Sequence, residues 1–263
     1  MKQLRILLVN EAGCFSPGIT ALAKVLSAKH RVVIVAPLSP LKSVGAMMTA
    51  SAKPLRVDQF FVLNKVKIFG VNGTPCDCVH LALDKVLKST PDVIISGIDH
   101  GNSRGETIYT SGVVSAAIAG TVQGIKSIAV SAKVADENSE KSYMPVARAF
   151  ARKLPMLLQS MAAGTTLNVN FPRKYSATKI KCTPLTTGIV DNKYEFETNP
   201  AGTVFFWLTN SGLRDYDLNG LNQQGDIYWL KKNFATVTPL KLDLTDYDFA
   251  AKLSQVLDSE VYS

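Results

Sequence analysis

The chain has 263 residues, about twice the most common domain length, and its 46% hydrophobic and 19% charged residues are typical of a folded globular protein. The net charge of +8 is uneven, because the first 70 residues hold ten Lys and Arg residues but only two acids, Glu11 and Asp58. This asymmetry indicates a site or a surface for an anion. No apolar run approaches the roughly 18 residues that span a bilayer, and residues 6–9 are too few for a signal-peptide core, so we expect a cytoplasmic protein.

The first part of the chain alternates between apolar runs and helical patterns. Residues 4–9 and 31–36 are continuous apolar runs, typical of strands buried on both faces, and residues 19–26 repeat apolar side chains at helical spacing. Strand, helix and strand in this order form a βαβ unit. A hairpin is predicted at residues 60–69, and a helix is predicted after Pro75.

The same alternation continues to residue 172. We predict strands at 93–96, 127–131 and 167–170, a helix of small residues at 113–122, and a helix at 143–161 that is interrupted or bent near Pro155. Two long polar loops, at 37–54 and 99–111, separate these elements. Loops of this length inside a compact domain are often functional.

Beyond residue 173 the pattern changes to short alternating segments. They predict strands at 179–184, 204–208 and 235–239, and Asp246 can cap a last helix through Leu257. We therefore predict an α/β protein with two parts. Residues 1–172 form a Rossmann-like, doubly wound, mostly parallel sheet, and residues 173–263 form a β-rich C-terminal part.

Three polar loops follow predicted parallel strands, at the sheet edge where open α/β sheets bind ligands. They are residues 10–13, 37–46 and 96–102, and the third leads to Ser111 and Gly112 at the start of a helix whose first amides can hold an anion. Neither a dinucleotide fingerprint nor a P-loop motif is present. The four cysteines lack the spacing of a disulfide scaffold or a zinc site, and Cys14 lacks the nearby arginine of a cysteine phosphatase.

Motifs spread over the whole chain carry a family resemblance. They are RILLVNEAG at 5–13 with PGI at 17–19, VAP at 35–37, GTPCDCV at 73–79, PDVIISGID at 91–99, SG at 111–112, LNVNFP at 167–172, and TVTPL with LDLT at 236–245. In this order they resemble the motifs of the SurE family of stationary-phase survival proteins, which are metal-dependent 5′/3′-nucleotidases. The resemblance implies the fold that the pattern predicts.

The resemblance also implies a divalent cation, Mg²⁺ or Mn²⁺, in a substituted site. The family binds its cation through two consecutive acids, a serine and an asparagine. These positions fall on Glu11 and Ala12, on Lys42 with Ser43 next in line, and on Asp99. One acid is therefore missing and a lysine stands at a ligand position. Glu11, Ser43 and Asp99 still offer oxygen ligands of the kind that Mg²⁺ prefers.

Metal-assisted hydrolysis of nucleoside monophosphates or small phosphate monoesters is the function that the resemblance implies. The candidate catalytic residues are Glu11, Asp99 and Ser111, and the candidate phosphate-binding residues are Asn10, Gly13, Lys42, Ser43, Asn102 and Gly112. A second hypothesis stays open, in which Lys42 substitutes for the metal and the protein binds a phosphate or nucleotide with little hydrolysis or with an altered activity. A nucleic-acid partner is disfavoured, because the basic residues are spread over several elements without interleaved aromatic residues.

Single residues also have structural interpretations. Glu11 can cap a turn, Asp99 can form a local side-chain turn, and Lys42 can be a solvated loop residue. The C-terminal part resembles the arm that SurE proteins exchange between subunits, so the resemblance implies a homodimer or tetramer. Trp207 and Trp229 lie in this part, and we expect at least one of them at a subunit contact.

Overall fold

A computed structural model describes residues 2–49, 53–61, 66–174, 179–187, 192–210 and 223–260 of the chain. The strands are β1 (Arg5–Val9), β2 (Arg31–Pro37), β3 (Val57–Phe61), β4 (Lys67–Val71), β5 (Val93–His100), β6 (Ser127–Ala132), β7 (Thr165–Phe171), β8 (Ile180–Cys182), β9 (Lys193–Thr198), β10 (Val204–Asn210) and β11 (Ala235–Lys241). The helices are α1 (Pro17–Ser27), α2 (Pro75–Leu81), α3 (Gly112–Val122), α4 (Glu140–Ser160), α5 (Asp226–Lys231) and α6 (Tyr247–Glu260). A π-helical turn (Ala82–Val86) follows α2, and a 3₁₀ helix (Gly105–Tyr109) precedes α3.

One mixed sheet forms the centre of the molecule. Its order is β3-β4-β2-β1-β5-β6-β7-β11-β8, and the six strands from β4 to β7 are parallel. At the edges, β3 runs antiparallel to β4, and β11 runs antiparallel to β7. This confirms the prediction of a doubly wound, mostly parallel α/β sheet. The predicted hairpin at 60–69 corresponds to β3 and β4, and its turn at 62–65 lies outside the described residues.

Helices cover both faces of the sheet, because the central strands are apolar on both sides. Helices α1 and α4 pack together on one face, where Leu22, Leu26 and Phe150 belong to the larger core cluster. Helices α2 and α3 pack together on the opposite face, with Val79 and Ala116 in a second cluster. The sheet therefore has a hydrophobic layer on each face.

Two predicted element boundaries differ from the structure. The helix predicted at 143–161 begins at Glu140 and continues without interruption through Pro155, so the predicted interruption is wrong. The strand predicted at 93–96 extends to His100, which places Asp99 inside β5 and not in the following loop. The predicted cap of the last helix is confirmed, because the backbone N–H of Phe249 donates to the Asp246 carboxylate at 3.0 Å.

A local irregularity in β5 fixes the position of Asp99. The pairing of β5 with β6 shifts register between Gly97 and Asp99, and a bulge of this kind re-aims the side chains that follow it. Gly97 has φ +132°, and a Cβ atom there would lie 2.1 Å from the carbonyl oxygen of Val130. Gly18 in α1 comes equally close, because a Cβ atom there would lie 1.9 Å from the carbonyl oxygen of Ile98. Only glycine allows either approach.

The C-terminal part contains a separate two-stranded antiparallel sheet, β9 with β10, while β8 and β11 join the main sheet. Several large apolar side chains of the β9–β10 hairpin are exposed, among them Phe196 (72%), Phe206 (70%) and Trp207 (60%). Helix α6 also exposes apolar side chains, including Tyr247 and Phe249. None of the helices in the described ranges is both long enough and apolar enough to span a membrane.

Candidate functional site

The candidate site lies where the strand order changes direction. Strand β1 pairs with β2 on one side and with β5 on the other, and such a switch point opens a crevice at the carboxyl ends of the strands. Glu11 follows β1, and Asp99 lies near the end of β5. A cavity of about 460 Å³ opens here, lined by Glu11, Lys42, Ser43, Asp99, His100, Gly101, Asn102, Ser103, Glu106, Thr107, Thr110, Ser111, Asn192 and Leu208.

Glu11 sits at the N-terminus of α3. The backbone N–H of Gly112 donates to Glu11 Oε2 at 2.6 Å, across 101 positions of sequence. The free amides and the partial positive charge of a helix N-terminus favour an anion at this place. A Cβ atom at Gly112 would lie 2.6 Å from the same carboxylate oxygen, so glycine permits the contact. The anion held by the first amide of α3 is thus the Glu11 side chain.

Glu11 and Asp99 form a buried acidic pair. Burial, followed by the charge of Asp99, raises the pKa of Glu11 to about 7, although the backbone N–H of Gly112 opposes the shift. Burial also raises the pKa of Asp99 to about 6, against the opposing charge of Lys42. Asp99 Oδ1 is buried and has no hydrogen-bond partner among the described residues. Two crowded carboxyl groups with an unused oxygen fit a cation, because a positive charge would relieve both the burial cost and the mutual repulsion.

The second loop closes over this pair. The backbone N–H of Leu41 donates to the carbonyl of Glu11 at 2.8 Å, and that of Gly45 donates to the carbonyl of Thr110 at 2.9 Å. Between these two anchors Ser43 adopts a left-handed conformation with φ +59°. Lys42 is largely exposed, and its Nζ lies 3.7 Å from Glu137 Oε2. The loop therefore holds an ammonium group and a hydroxyl group at the mouth of the cavity.

Asp77 on α2 fixes Thr49, which lies near the end of the long polar loop at 37–54. The backbone N–H of Thr49 donates to Asp77 Oδ1 at 3.1 Å, and its hydroxyl donates to Oδ2 at 2.5 Å. The N–H of Thr74 donates to Oδ2 at 2.8 Å, which completes a capping box at the start of α2. Burial alone raises the pKa of Asp77, but the hydrogen bonds from Thr49 and Thr74 outweigh it and hold the pKa below its ordinary value. Asp77 thus has a structural role: it caps α2 and holds Thr49.

Polar side chains hold the segment between β5 and α3, residues 101–111, against the sheet. Ser111 Oγ accepts the N–H of Val114 at 3.2 Å as the N-cap of α3, and it lies 2.9 Å from Ser103 Oγ. Asn168 and Asn170 of β7 both donate to the Ser103 carbonyl, at 2.7 and 2.9 Å. Loop residues 101–103 are therefore attached to β7 and to the start of α3.

The structure brings together most of the predicted site residues, but not all of them. Asn10 and Gly13 do not line the cavity. Asn10 is fully buried, its amide nitrogen donates to Ser16 Oγ at 2.6 Å, and its oxygen accepts the N–H of Gly13 at 3.1 Å. These two residues shape the turn after β1. Gly112 uses its N–H for Glu11, as described above.

Three further polar side chains lie at the site but are absent from the predicted site residues: Glu137, Thr107 and Thr110. Glu137 follows β6, and its carboxylate lies close to Lys42 and 3.9 Å from Nε2 of His100. Thr107 in the 3₁₀ helix and Thr110 directly after it also line the cavity. Glu137 could have been found from the sequence, because it follows a predicted parallel strand and so lies at the same edge of the sheet as Glu11 and Asp99.

The fold and the site define an α/β protein with a buried acidic pair at the switch point of its sheet. The model of the family described as survival protein SurE matches residues 6–195. The chain is 34% identical over 262 residues to the 5′-nucleotidase SurE of Natranaerobius thermophilus, covering 95% of this chain and 98% of that protein. It is 36% identical over 257 residues to the 5′-nucleotidase SurE of Carboxydothermus hydrogenoformans, covering 95% of each.

The solved structures agree with the sequence comparison. The crystal structure of the SurE protein from Aquifex aeolicus superposes with a TM-score of 0.77 at 33% identity, over 95% of this chain and 98% of that one. The chain belongs to the SurE family.

Proposed function

We propose that the protein is a phosphohydrolase that removes phosphate from nucleoside monophosphates or small phosphate monoesters with the help of a divalent cation, Mg²⁺ or Mn²⁺. The name of its relatives, 5′-nucleotidase SurE, supports the reaction class. The observation that carries the proposal is the buried pair of Glu11 and Asp99, with an Asp99 oxygen that lacks a partner among the described residues. Such a pair suits a cation and a reaction at phosphorus.

Glu11, Asp99 and Ser43 are the residues that would hold the cation. Among the described residues no group of three or more His, Cys, Asp or Glu side chains is suited to a metal, so the site relies on two carboxylates and a hydroxyl. The family's aspartate pair has become Glu11 and Ala12, but its asparagine has become Asp99, so the number of carboxylates is unchanged. When bound, the cation would neutralise charge on the phosphoryl oxygens and acidify the attacking water.

The protein groups then have separate tasks. Lys42 at the cavity mouth contacts the phosphate oxygens, which requires its ammonium to leave Glu137. Asn102 and the hydroxyl of Ser111 face the same cavity and orient the phosphate. Asp99 lines the cavity beside Glu11, and its carboxylate orients the attacking water and takes its proton. Glu11 is fixed by the Gly112 amide and keeps its carboxylate beside Asp99.

A second candidate function follows from the position of Lys42. Its charge opposes the effect of burial on Asp99, although the pKa of that carboxyl group stays raised. In this alternative the ammonium group takes the place of the cation, and the protein binds a phosphate or nucleotide without efficient hydrolysis, because an ammonium group cannot acidify water as a divalent cation does.

Phosphate release from a nucleoside monophosphate and from p-nitrophenyl phosphate distinguishes the two functions. The first predicts turnover with Mn²⁺ or Mg²⁺, no turnover in chelator, and a loss of at least about 100-fold in kcat for Asp99→Asn. The variant Glu106→Gln, which removes a carboxylate that lines the cavity outside the acidic pair, is the matched control and should keep most of the activity. Phosphate binding without turnover, lost in Lys42→Ala, would establish the second function, and full activity in chelator would exclude the metal-assisted mechanism.

We also propose that the protein assembles as a homodimer or tetramer through its C-terminal part and acts in the cytoplasm, with residues 1–172 carrying catalysis and 173–263 assembly. The support is the apolar surface of the β9–β10 hairpin, where Phe196, Phe206 and Trp207 are exposed in the single chain. Phe206 is paired directly with Phe196 across the two strands, and exposed aromatic residues of this kind mark protein contacts. Leu208 at the end of the same patch also lines the catalytic cavity, so assembly would enclose the site further.

A further inference from the structure

A second cavity, remote from the carboxylate pair, lies between α1 and α4. It has a volume of about 370 Å³ and is lined by Val25, Leu26, Ala28, Lys29, His30, Arg148, Ala151, Arg152 and Pro155. Helix α1 begins beside the catalytic edge of the sheet and ends at the start of β2, so this cavity lies at the opposite edge. The 11 residues of α1 separate the two by roughly 16 Å along the helix axis. The cavity is therefore not part of the catalytic site.

The floor of the cavity is apolar and its rim is basic. Lys29, Arg148 and Arg152 contribute three permanent positive charges, and none of them is paired with an acid in the part of the chain that the structure describes. The surrounding helices add no negative charge, because residues 17–31 and 141–160 contain seven Lys and Arg residues and no acid. The lone acid at the start of α4, Glu140, is bound to Lys24 at 2.6 Å.

The partial charges of helix termini do not explain why three basic residues surround this cavity. Lys29 follows the C-terminus of α1, where a cation is favourable. Arg148 and Arg152, however, lie in the middle of the 21-residue helix α4, one turn apart on the same face. Two unpaired guanidinium groups at this spacing are placed to bind one anionic head group.

His30 gives an independent indication of a ligand. Its side chain is nine-tenths buried (9% exposed), and its Nδ1 accepts the backbone N–H of Leu4 at 3.3 Å. Nε2 therefore carries the proton, and this N–H has no acceptor among the described residues. Burial and the charge of Lys29 lower the pKa of His30, which keeps the ring neutral in this tautomer. The cavity is therefore lined by an N–H donor that is free to bind an anion.

We propose that this cavity binds a small amphiphilic anion, with a carboxylate or phosphate head group on Arg148, Arg152 and the His30 N–H and an apolar chain against Val25, Leu26 and Ala151. The volume is within the range of small-molecule sites. The apolar floor requires an apolar body, and the basic rim requires an anionic head. A purely ionic ligand or a purely apolar one would use only half of the cavity.

Calorimetric titration of the full chain with octanoate, decanoate, decyl phosphate and decanol tests the proposal. We expect saturable binding of decanoate, about tenfold weaker binding of octanoate because two methylene groups are lost, and no saturable binding of decanol. The relative affinities of decanoate and decyl phosphate identify the preferred head group.

The double variant Arg148→Gln with Arg152→Gln should weaken decanoate binding at least tenfold. The matched control is Lys141→Gln with Lys153→Gln, which removes two charges from the same helix outside the cavity and should change the affinity less than twofold. Equal losses in the two double variants, unchanged binding in the arginine variant, equal binding of decanol, or no binding of decanoate would each overturn the proposal. Phosphohydrolase activity should be the same in both double variants, so this test is independent of the catalytic proposal.

Discussion

Replacing Asp77 by Asn is the sharpest test of how the second loop is held over the site. The substitution keeps the size of the side chain and removes its charge. The Asp77 carboxylate accepts the N–H and hydroxyl of Thr49 on the loop and the N–H of Thr74 at the start of α2. In the variant, one carboxylate oxygen becomes an NH₂ group that must face at least one of these donors.

The magnitude follows from these contacts. A hydrogen bond to a charged group contributes about 1.5–3 kcal/mol net, and an asparagine oxygen can retain part of the set. Because Asp77 is only 3% exposed, water cannot replace the lost acceptor. We therefore expect Asp77→Asn to lower the free energy of unfolding by about 2–3 kcal/mol at pH 7, a large part of the roughly 5–15 kcal/mol of an ordinary domain.

The loss should also depend on pH. The folded-state pKa of Asp77 lies below its ordinary value of 3.8. The stabilisation is therefore complete above about pH 5 and is lost as the pH falls through the folded-state pKa. The difference between wild type and variant should shrink on acidification from pH 7 toward pH 3.

Urea unfolding at fixed protein concentration, at pH 7 and near pH 3, measures this difference. Asp84→Asn is the control, because Asp84 lies in the π-helical turn that follows α2, is exposed, and pairs only with Lys85 among the described residues. It should cost less than about 0.5 kcal/mol. A loss for Asp77→Asn no larger than that of the control, or one that does not change with pH, would refute the reasoning.

Three further predictions concern packing, thiols and assembly. Gly18→Ala should lower the free energy of unfolding by at least about 3 kcal/mol, because the added Cβ would overlap the carbonyl oxygen of Ile98. The melting temperature should fall, and an unchanged melting temperature would contradict the close approach. Only Cys182 among the four cysteines is exposed, so a thiol reagent should modify one thiol per folded chain quickly and the rest only in denaturant; rapid reaction of a second thiol would contradict the burial. Phe206→Ser with Trp207→Ser should lower the molecular mass measured by sedimentation toward that of one chain, and an unchanged oligomer would place the subunit contact elsewhere.

The central sheet was predictable because its strands are buried on both faces. Strands β1, β2, β5 and β6 appear in the sequence as mainly apolar runs, and β1, β2 and β6 end within about a residue of the predicted limits. The hairpin β9–β10 was predicted only in part, since the exposed β9 strand has no apolar run to mark it. The 3₁₀ helix and α5 are too short for helical periodicity to show, and Pro155 is tolerated inside α4 although the sequence favours an interruption there.

The candidate site was predictable as a set of loops but not as a set of contacts. Because ligands bind at the carboxyl ends of parallel strands, the sequence places Glu11 and Asp99 at one edge of the sheet. The structure adds that both are buried and close enough for the charge of Asp99 to raise the pKa of Glu11. The hydrogen bond of Glu11 to Gly112 joins residues that only the fold brings together. Asn10 was assigned to phosphate binding by its place in a motif, whereas its side chain is used to close the turn.

Anomalous diffraction from crystals grown with Mn²⁺ tests the central claim most directly, because it locates the cation without assuming a reaction. We expect one anomalous peak between the carboxylates of Glu11 and Asp99, within about 2.0–2.3 Å of both, and its absence from Asp99→Asn crystals. Density for the Lys42 ammonium group between the two carboxylates, with no anomalous peak at saturating Mn²⁺, would contradict it.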